Sequence, residues 1–169
     1  MAKIKHHQSL VCDLPDNYGS LEIIPDVLNH FEQYKQTCCM SREAGGQLFV
    51  EKNGLQYKLV VATGPRKTDK RSRYNYFPDR SAERVEIQDF FDKDLFYIGD
   101  WHTHPQNIPT PSSTDEFNFE ETVRQSKDGL KIFLLFIIGT SELPNGIYVC
   151  FYSKSRKKII PSNQIKIKN

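Results

Sequence analysis

This sequence of 169 residues lacks any long hydrophobic segment. Its longest apolar run, Ile132–Ile138, has seven residues, whereas a helix that spans a membrane needs about 20. The first residues, Met1 to His7, include two lysines and two histidines, and they lack the apolar stretch of a secretory signal peptide. We therefore expect a cytoplasmic protein in which Ile132–Ile138 is a buried strand.

Cysteine is scarce, and its spacing excludes the common structural zinc sites. Cys38 and Cys39 are adjacent, while Cys12 and Cys150 stand alone, so the sequence contains no Cys-x-x-Cys pair. We expect four reduced, partly buried thiols. A cysteine protease that pairs one of them with a histidine is an alternative, which the pattern described below makes unnecessary.

An excess of either charge is also absent. The 23 basic and 21 acidic side chains leave a net charge of +2, which by itself indicates no polyanionic partner. A hydrophobic content of 38% argues against disorder. Because there is no repeat, low-complexity tract or linker, we expect residues 1–169 to form a single domain.

Two histidines separated by one residue, His102 and His104, are the most informative feature of the sequence. The preceding stretch, Leu95–Trp101, is rich in aromatic and branched residues and predicts a strand that runs into them. Side chains two apart on a strand share a face. Both imidazoles could therefore bind one metal ion, while Trp101 and Thr103 face the other side. The other three histidines are expected to face solvent: His6, His7 and His30.

A helix predicted to begin at Ser112 supplies a third potential ligand, Asp115. The connection before it is stiffened by Pro105, Pro109 and Pro111. Taken alone, Ser112-x-x-Asp115 also fits a capping box, which is a purely structural device. Together with the two histidines, Asp115 completes a set of three ligands, which leaves the fourth tetrahedral position of a catalytic zinc ion open.

A carboxylate that could act as a general base lies upstream, at Glu43 in the stretch Glu-Ala-Gly-Gly-Gln-Leu. A zinc site with one nearby carboxylate is the usual arrangement of a metallohydrolase, because the carboxylate can accept a proton from water. The alternative is a surface carboxylate at the start of a strand.

This combination resembles the JAMM (JAB1/MPN/Mov34) metalloprotease family. The family pattern is Glu, then His-Ser/Thr-His-Pro, seven intervening residues counted from the second histidine, and Ser-x-x-Asp. The sequence contains every element: Glu43, His102, Thr103, His104, Pro105, Ser112 and Asp115. The resemblance covers most of the chain and implies an α+β protein of the MPN/JAB (cytidine-deaminase-like) fold, with a mixed sheet flanked by helices.

The resemblance also implies a role for each residue. His102, His104 and Asp115 are expected to bind one zinc ion. Glu43 is expected to carry a proton from water to the leaving amine, and Ser112 to donate a hydrogen bond to the oxyanion, a contact worth roughly 3 kcal/mol in other enzymes. The reaction would be hydrolysis of an amide or isopeptide bond, and replacing Glu43 by alanine would abolish turnover without removing the metal.

Three further stretches are similar to a bacterial subgroup associated with integrative and conjugative elements. They are Ala62–Pro65, the arginine-rich segment that ends at Asp79, and Gly99–Pro105. The subgroup includes the JAMM peptidase of CBASS anti-phage operons. There, an E1/E2-like protein attaches the C-terminus of a CD-NTase (a cGAS-like nucleotidyltransferase) to targets, and the peptidase cuts that linkage. A CD-NTase or ubiquitin-like conjugate is therefore the expected substrate, and neither a membrane nor a nucleic acid is an expected partner.

Two other functions stay open at this point. One is an MPN-type scaffold without turnover, although such scaffolds usually lack one or more ligands and this set is complete. The other is a RadC-like protein associated with DNA repair, whose motif normally reads His-Asn-His-Pro-Ser-Gly. Thr103 and Gln106 depart from that motif.

The segment 64–80 forms a basic insertion with interleaved tyrosines. Three interpretations remain: a loop that grips the substrate tail, a strip that binds nucleic acid through stacking aromatics, or a solvated loop. Its basic residues are Arg66, Lys67, Lys70, Arg71, Arg73 and Arg80.

The remaining patterns predict the other helices and strands. Helices are expected from Pro25 to about Gln36 and over Ser81–Asp92. Gln47–Glu51 and Tyr57–Ala62 predict a hairpin around Asn53-Gly54. Three strands are expected near the end, with a turn at Pro144-Asn145-Gly146 between the first two: Lys131–Gly139, Gly146–Tyr152 and Lys157–Ile167.

Overall fold

A computed structural model describes residues 8–126, 132–153, 158–161 and 165–168. Within these ranges the α-helices are α1 (Pro25–Tyr34), α2 (Arg80–Phe91) and α3 (Ser113–Gln125), and Pro15–Asn17 forms a short 3-10 helix. The strands are β1 (Leu10–Leu14), β2 (Gly19–Ile23), β3 (Gly45–Asn53), β4 (Gln56–Ala62), β5 (Lys70–Arg71), β6 (Tyr76–Phe77), β7 (Phe96–Thr103), β8 (Ile132–Ile138), β9 (Ile147–Ser153), β10 (Lys158–Pro161) and β11 (Ile165–Ile167). None of the helices in these ranges is long and apolar enough to cross a membrane.

Nine strands form one mixed sheet in the order β10-β9-β8-β7-β3-β4-β2-β1-β11. The pairs β2–β4 and β7–β8 are parallel, and the other pairs are antiparallel. The predicted α+β class, with a mixed sheet and flanking helices, is therefore confirmed. Strand β7, which leads into the histidine pair, lies between β3 and β8 in the interior of the sheet.

The apolar run Ile132–Ile138 forms β8, and all seven of its residues are buried. Alternate side chains enter two separate cores. Leu134 and Phe136 join the larger core around α1, whereas Phe133 and Leu135 join a smaller core with α3. Both faces of this strand are covered, which explains why its sequence is continuously apolar instead of alternating.

Helix α1 begins at Pro25, as predicted, and ends at Tyr34, two residues earlier than expected. Its buried face consists of Val27, Leu28 and Phe31, and Lys35 leaves the helical conformation. The predicted hairpin is also confirmed, since β3 and β4 pair antiparallel around Gly54, whose φ is +59°. The predicted helix over 81–92 is α2, which begins one residue earlier.

The prediction of a single strand over Lys157–Ile167 is wrong. β10 pairs with β9 at one edge of the sheet, whereas β11 pairs with β1 at the opposite edge. Proline has no backbone N–H to continue a ladder, and β10 ends at Pro161. Strands β1 and β2 were not predicted, because their short, partly polar segments carry little periodic signal. Lys131 and Lys157 lie outside the described residues.

Candidate metal centre

Strand β7 places the two histidines of the motif together at its end. His102 pairs with Gly45 of β3 and with Ile137 of β8. Nε2 of His102 lies 3.1 Å from Nε2 of His104. Trp101 faces the opposite side of the sheet, where its ring lies 5.0 Å from that of Phe31 in the core. Because side chains alternate along β7, the histidine ring of His102 lies on one face of the sheet and the core residue Trp101 lies on the other.

The first turn of α3 brings Asp115 to the same point. Its Oδ1 lies 3.2 Å from Nε2 of His102, and its Oδ2 lies 3.4 Å from Nε2 of His104. Asp115 also accepts hydrogen bonds from N and Oγ of Ser112, at 2.7 and 2.6 Å. In return Ser112 Oγ accepts from the backbone N–H of Asp115, which completes a capping box. The capping-box interpretation of this pair is therefore confirmed, and the same side chain lies close enough to both histidines to serve as the predicted third ligand.

These three side chains fit a tetrahedral metal ion. Ligand atoms about 2.0–2.1 Å from zinc, at tetrahedral angles, lie about 3.3 Å from one another. The two Nε2 atoms lie 3.1 Å apart, and each lies 3.2 or 3.4 Å from a different oxygen of Asp115, Oδ1 for His102 and Oδ2 for His104. Oε1 of Gln106 lies 3.3 Å from Nδ1 of His104. With the ring proton on Nδ1, Gln106 accepts that bond and the Nε2 lone pair points at the centre.

The hydrogen bonds that Asp115 accepts favour its ionised form. Although burial opposes it, hydrogen bonds with His102, His104 and Ser112 hold the pKa of Asp115 far below its usual range. Asp115 is thus ionised, as a carboxylate ligand must be.

Glu43 lies beside the two histidines, immediately before β3. Its carboxylate and the two imidazoles offer ligand atoms that all lie within 4.8 Å of one another. Its side chain is buried, and burial raises the pKa of its carboxyl. A carboxylate of raised pKa is a better proton acceptor near neutral pH. The structure therefore brings all five candidate site residues together: Glu43, His102, His104, Ser112 and Asp115.

The backbone of Glu43 is held by the basic insertion. Glu43 N donates to Ser72 O at 2.7 Å, and Arg71 Nε donates to Glu43 O at 2.6 Å. Arg73 Nη1 similarly donates to Cys38 O at 2.8 Å. These two arginines make intramolecular contacts that the sequence did not reveal, because charge patterning does not show which carbonyl a guanidinium will reach.

An open cleft leads from the centre to the surface. One wall is the hairpin β5–β6, with Tyr74, Tyr76 and Phe77, and the other is the start of α3, with Ser112 and Thr114. Tyr74 and Phe77 are exposed. The basic insertion is therefore a structured hairpin at the rim of the centre.

A second, inner cavity extends from the centre between α2 and α3. It is lined by Glu83, Asp100 and Arg80 in addition to His102 and Asp115. Burial raises the pKa values of Glu83 and Asp100. The position of Asp100 beside the centre was not predicted. Its spacing of two residues from His102 on the same strand would have indicated that the two side chains share a face.

Two expectations about other side chains need correction. His30 does not face solvent: its ring lies 5.3 Å from that of Trp101, and its Nε2 is buried. Among the cysteines, Cys12 and Cys150 are buried as expected. The adjacent pair Cys38 and Cys39 is instead exposed. His6 and His7 lie outside the described residues.

The comparisons with known proteins agree with this geometry. Residues 32–150, well over half of the chain, match the model of the prokaryotic homologues of the JAB domain. The chain belongs to the prokaryotic JAB family. The JAMM-type resemblance and the MPN/JAB fold expected from the sequence are therefore confirmed.

Several relatives of this JAB protein carry the name CD-NTase/cGAS isopeptidase. One from Escherichia coli is 30% identical over 96 residues, which cover 55% of this chain and 62% of the relative. One from Pseudomonas aeruginosa is 29% identical over 131 residues, which cover 76% and 82%. The match therefore spans less than two thirds of the first relative.

A solved structure shows the same fold. The solution structure of a protein from Desulfitobacterium hafniense superposes with a TM-score of 0.57 over 83% of this chain and 88% of that one, at 17% identity.

Proposed function

We propose that this JAB protein is a zinc-dependent isopeptidase. It would hydrolyse the amide bond between the C-terminus of a CD-NTase (cGAS-like) or ubiquitin-like protein and a target, in bacterial anti-phage defence of the CBASS type. The observation that carries the proposal is the convergence of His102, His104 and Asp115 at tetrahedral spacing, next to the buried carboxylate of Glu43. The names of the relatives point to the substrate class.

Each residue would contribute a separate part of the chemistry. His102, His104 and Asp115 would hold zinc, which when bound polarises the scissile carbonyl and acidifies water. Glu43 would take a proton from the attacking water and deliver it to the leaving amine. Ser112 would turn its hydroxyl from Asp115 to the oxygen that gains negative charge.

The open cleft suits an extended chain. Its walls, the hairpin β5–β6 and the start of α3, flank Glu43 and His104. We therefore retain the interpretation that the insertion 64–80 grips the substrate tail, with Tyr74 and Phe77 as exposed contacts. The competing nucleic-acid interpretation is weaker because Arg71 and Arg73 are engaged by backbone carbonyls.

Cleavage of a defined fusion tests the activity. A CD-NTase joined through its C-terminus to a reporter protein is incubated with zinc-loaded enzyme, and the cut is located by intact mass. We expect wild type to cut at the junction. Glu43→Ala should keep its zinc and lose at least about 100-fold in rate, because general acid–base catalysis is worth roughly 100- to 10,000-fold. Glu51→Gln, which alters an exposed carboxylate on β3, is the matched control and should behave as wild type.

The other outcomes separate the alternatives. If the enzyme binds zinc but leaves the CD-NTase fusion intact, fusions of ubiquitin-like proteins are the next substrates to test. An E1/E2-like partner from the same operon would be included in those tests. An intact fusion without zinc binding would favour the scaffold. Unimpaired cleavage by Glu43→Ala would remove Glu43 from the mechanism.

A further inference from the structure

One buried side chain outside the metal site contacts both segments that position Glu43. It is Gln36, which follows the end of α1 and is only 3% exposed. A buried amide with all its hydrogen-bonding groups engaged restricts its partners in direction as well as distance. The partners of Gln36 therefore decide what it does.

The oxygen of this amide faces the histidine strand. Thr103, fully buried between the two histidines, donates its hydroxyl hydrogen to Gln36 Oε1 at 3.2 Å. The same hydroxyl accepts from the backbone N–H of Ala44 at 2.9 Å, and Thr103 N donates to Ala44 O at 2.8 Å. Thr103 thus fixes the residue next to Glu43 against the strand that carries both histidines.

The nitrogen of the amide faces the basic insertion. Gln36 Nε2 donates to Arg73 O at 2.7 Å. The neighbouring residues of that segment hold the backbone of Glu43 from its other side, through Ser72 O and the Arg71 guanidinium. Gln36 therefore joins the two supports of Glu43 to each other.

The direction of this hydrogen-bond chain is fully determined. A backbone N–H can only donate, so the Thr103 hydroxyl accepts from Ala44 and has its own proton left for Gln36. A carbonyl can only accept, so Arg73 O must meet the NH2 of the amide. A glutamate at position 36 would keep the acceptor for Thr103 but place an oxygen against Arg73 O.

We infer that Gln36, acting through Thr103 and Arg73, is a positioning residue that sets where the Glu43 carboxylate lies relative to the histidine pair. The inference rests on the proposed function for its catalytic consequence. It does not involve the three metal ligands, since His102 and His104 face away from Thr103 and Asp115 is held by α3. Loss of Gln36 should therefore affect proton transfer and spare metal binding.

Four variants test the inference. Gln36→Glu removes the hydrogen-bond donor to Arg73 O at nearly constant size, and Thr103→Val removes the hydroxyl at constant shape. Thr103→Ser keeps the hydroxyl and should rescue function. Lys35→Met is the control: it removes a neighbouring buried side chain whose hydrogen bonds go to Glu32 and Ser141 instead of the Glu43 segment.

The readouts are hydrogen exchange at the amides of Glu43 and Ala44, zinc affinity, and kcat and KM on the fusion that wild type cleaves. In Gln36→Glu and Thr103→Val we expect exchange to accelerate about 10-fold or more. We also expect kcat to fall about 10- to 100-fold, because small misplacements of a reacting group cost rates of that size. KM and zinc affinity should stay close to wild type, and Thr103→Ser and Lys35→Met should keep wild-type exchange and kcat.

Two results would overturn the inference. One is unchanged exchange and kcat in Gln36→Glu. The other is a fall in kcat that also occurs in Lys35→Met, or that is accompanied by a fall in zinc affinity. Either result would show a general structural effect. If wild type cleaves no fusion, the proposed function fails, while the exchange data still decide whether Gln36 holds the Glu43 segment.

Discussion

Asp115 combines two roles in one side chain. Its carboxylate closes the capping box of α3 through Ser112 and faces both histidines through its two oxygens. The cap restricts the rotamer of Asp115, so the proposed metal binding would require little further ordering of this side chain.

Replacing Asp115 by asparagine tests this dual role. The variant keeps an oxygen for the Ser112 N–H but loses the charge, so we expect α3 to stay folded while zinc binding weakens. The loss should exceed the roughly 10- to 100-fold typical of residues that only orient a ligand. Competition with a chromophoric chelator measures it, with Glu116→Gln in the same helical turn as control. Wild-type affinity in Asp115→Asn would contradict the assignment of Asp115 as a ligand.

His30 illustrates a titratable side chain committed to packing. Its ring lies 5.1 Å from that of Tyr34 and 5.3 Å from that of Trp101. Burial lowers its pKa below the ordinary value of 6.5, against the raising effect of hydrogen bonds with the backbone of Gly64 and Thr63. The folded protein therefore favours neutral His30.

The stability contributed by neutral His30 should depend on pH. Because the unfolded chain binds the proton more readily, this stability is complete above pH 6.5 and is lost as the pH falls toward the lower folded pKa. We expect wild type to lose stability relative to His30→Phe between pH 7.5 and pH 5. The loss in unfolding free energy should be at most about 1.4 kcal/mol per pH unit. Urea unfolding of both proteins at each pH measures it. A difference independent of pH would show that His30 does not titrate in this range.

At the scale of elements, the basic insertion is tied to α2 by an ion cluster. Arg66 binds Glu86 with a bidentate contact and Gln47 at 3.1 Å, and it lies near Asp69 and Glu83. The side chain of Asp69 is fully buried and that of Glu83 is 6% exposed. The cluster orients the hairpin that holds the backbone of Glu43.

Removing the arginine should leave these acids buried without compensation. We expect Arg66→Met to lower the free energy of unfolding by about 3 kcal/mol, the range for breaking one partner of a buried ion pair. Arg124→Met removes a surface arginine that is 75% exposed and paired with Glu121. This control should change stability by less than about 1 kcal/mol. Equal effects of the two substitutions in urea unfolding would show that the Arg66 cluster is no more than a surface network.

At the scale of the whole molecule, the last strands secure both edges of the sheet. β10 covers β9, and β11 covers β1 with Leu10 opposite Ile167. The candidate metal centre lies at β7 and β3, which are five and four positions away from β11 in the sheet order. The pairing of β11 with β1, which we expect to stabilise the sheet, is therefore distant from the proposed metal ligands.

A variant that ends at Pro161 tests this separation. It leaves β1 as an unpaired edge, and we expect Tm to fall by about 5 °C, from a loss of roughly 2 kcal/mol. Zinc affinity should stay at its wild-type value. A variant that ends at Lys168 keeps β11 and should match wild type. Loss of zinc binding in the shorter variant would show that the edge strand supports the centre after all.

Much of the fold could be predicted because the local patterns agreed with the tertiary structure. The period of α1, the Asn-Gly hairpin and the continuous apolar run of β8 each carry a strong local signal. The strand over 157–167 failed because partner choice is a non-local property: the same apolar and basic alternation suits either edge of the sheet. β1 and β2 were missed because their short, partly polar segments carry little periodic signal, so that their pairing with distant neighbours decides their structure.

The sequence by itself determined that the three proposed ligands lie together, because alternation on one strand and a capping pattern at one helix start place His102, His104 and Asp115 through local geometry. Only the tertiary structure decided how Glu43 is held. Its supports come from Gln36, Arg71 and Thr103, which no spacing rule connects. Hydrogen bonds between distant segments depend on where the folded backbone brings each carbonyl, and that information exists only once the sheet has formed.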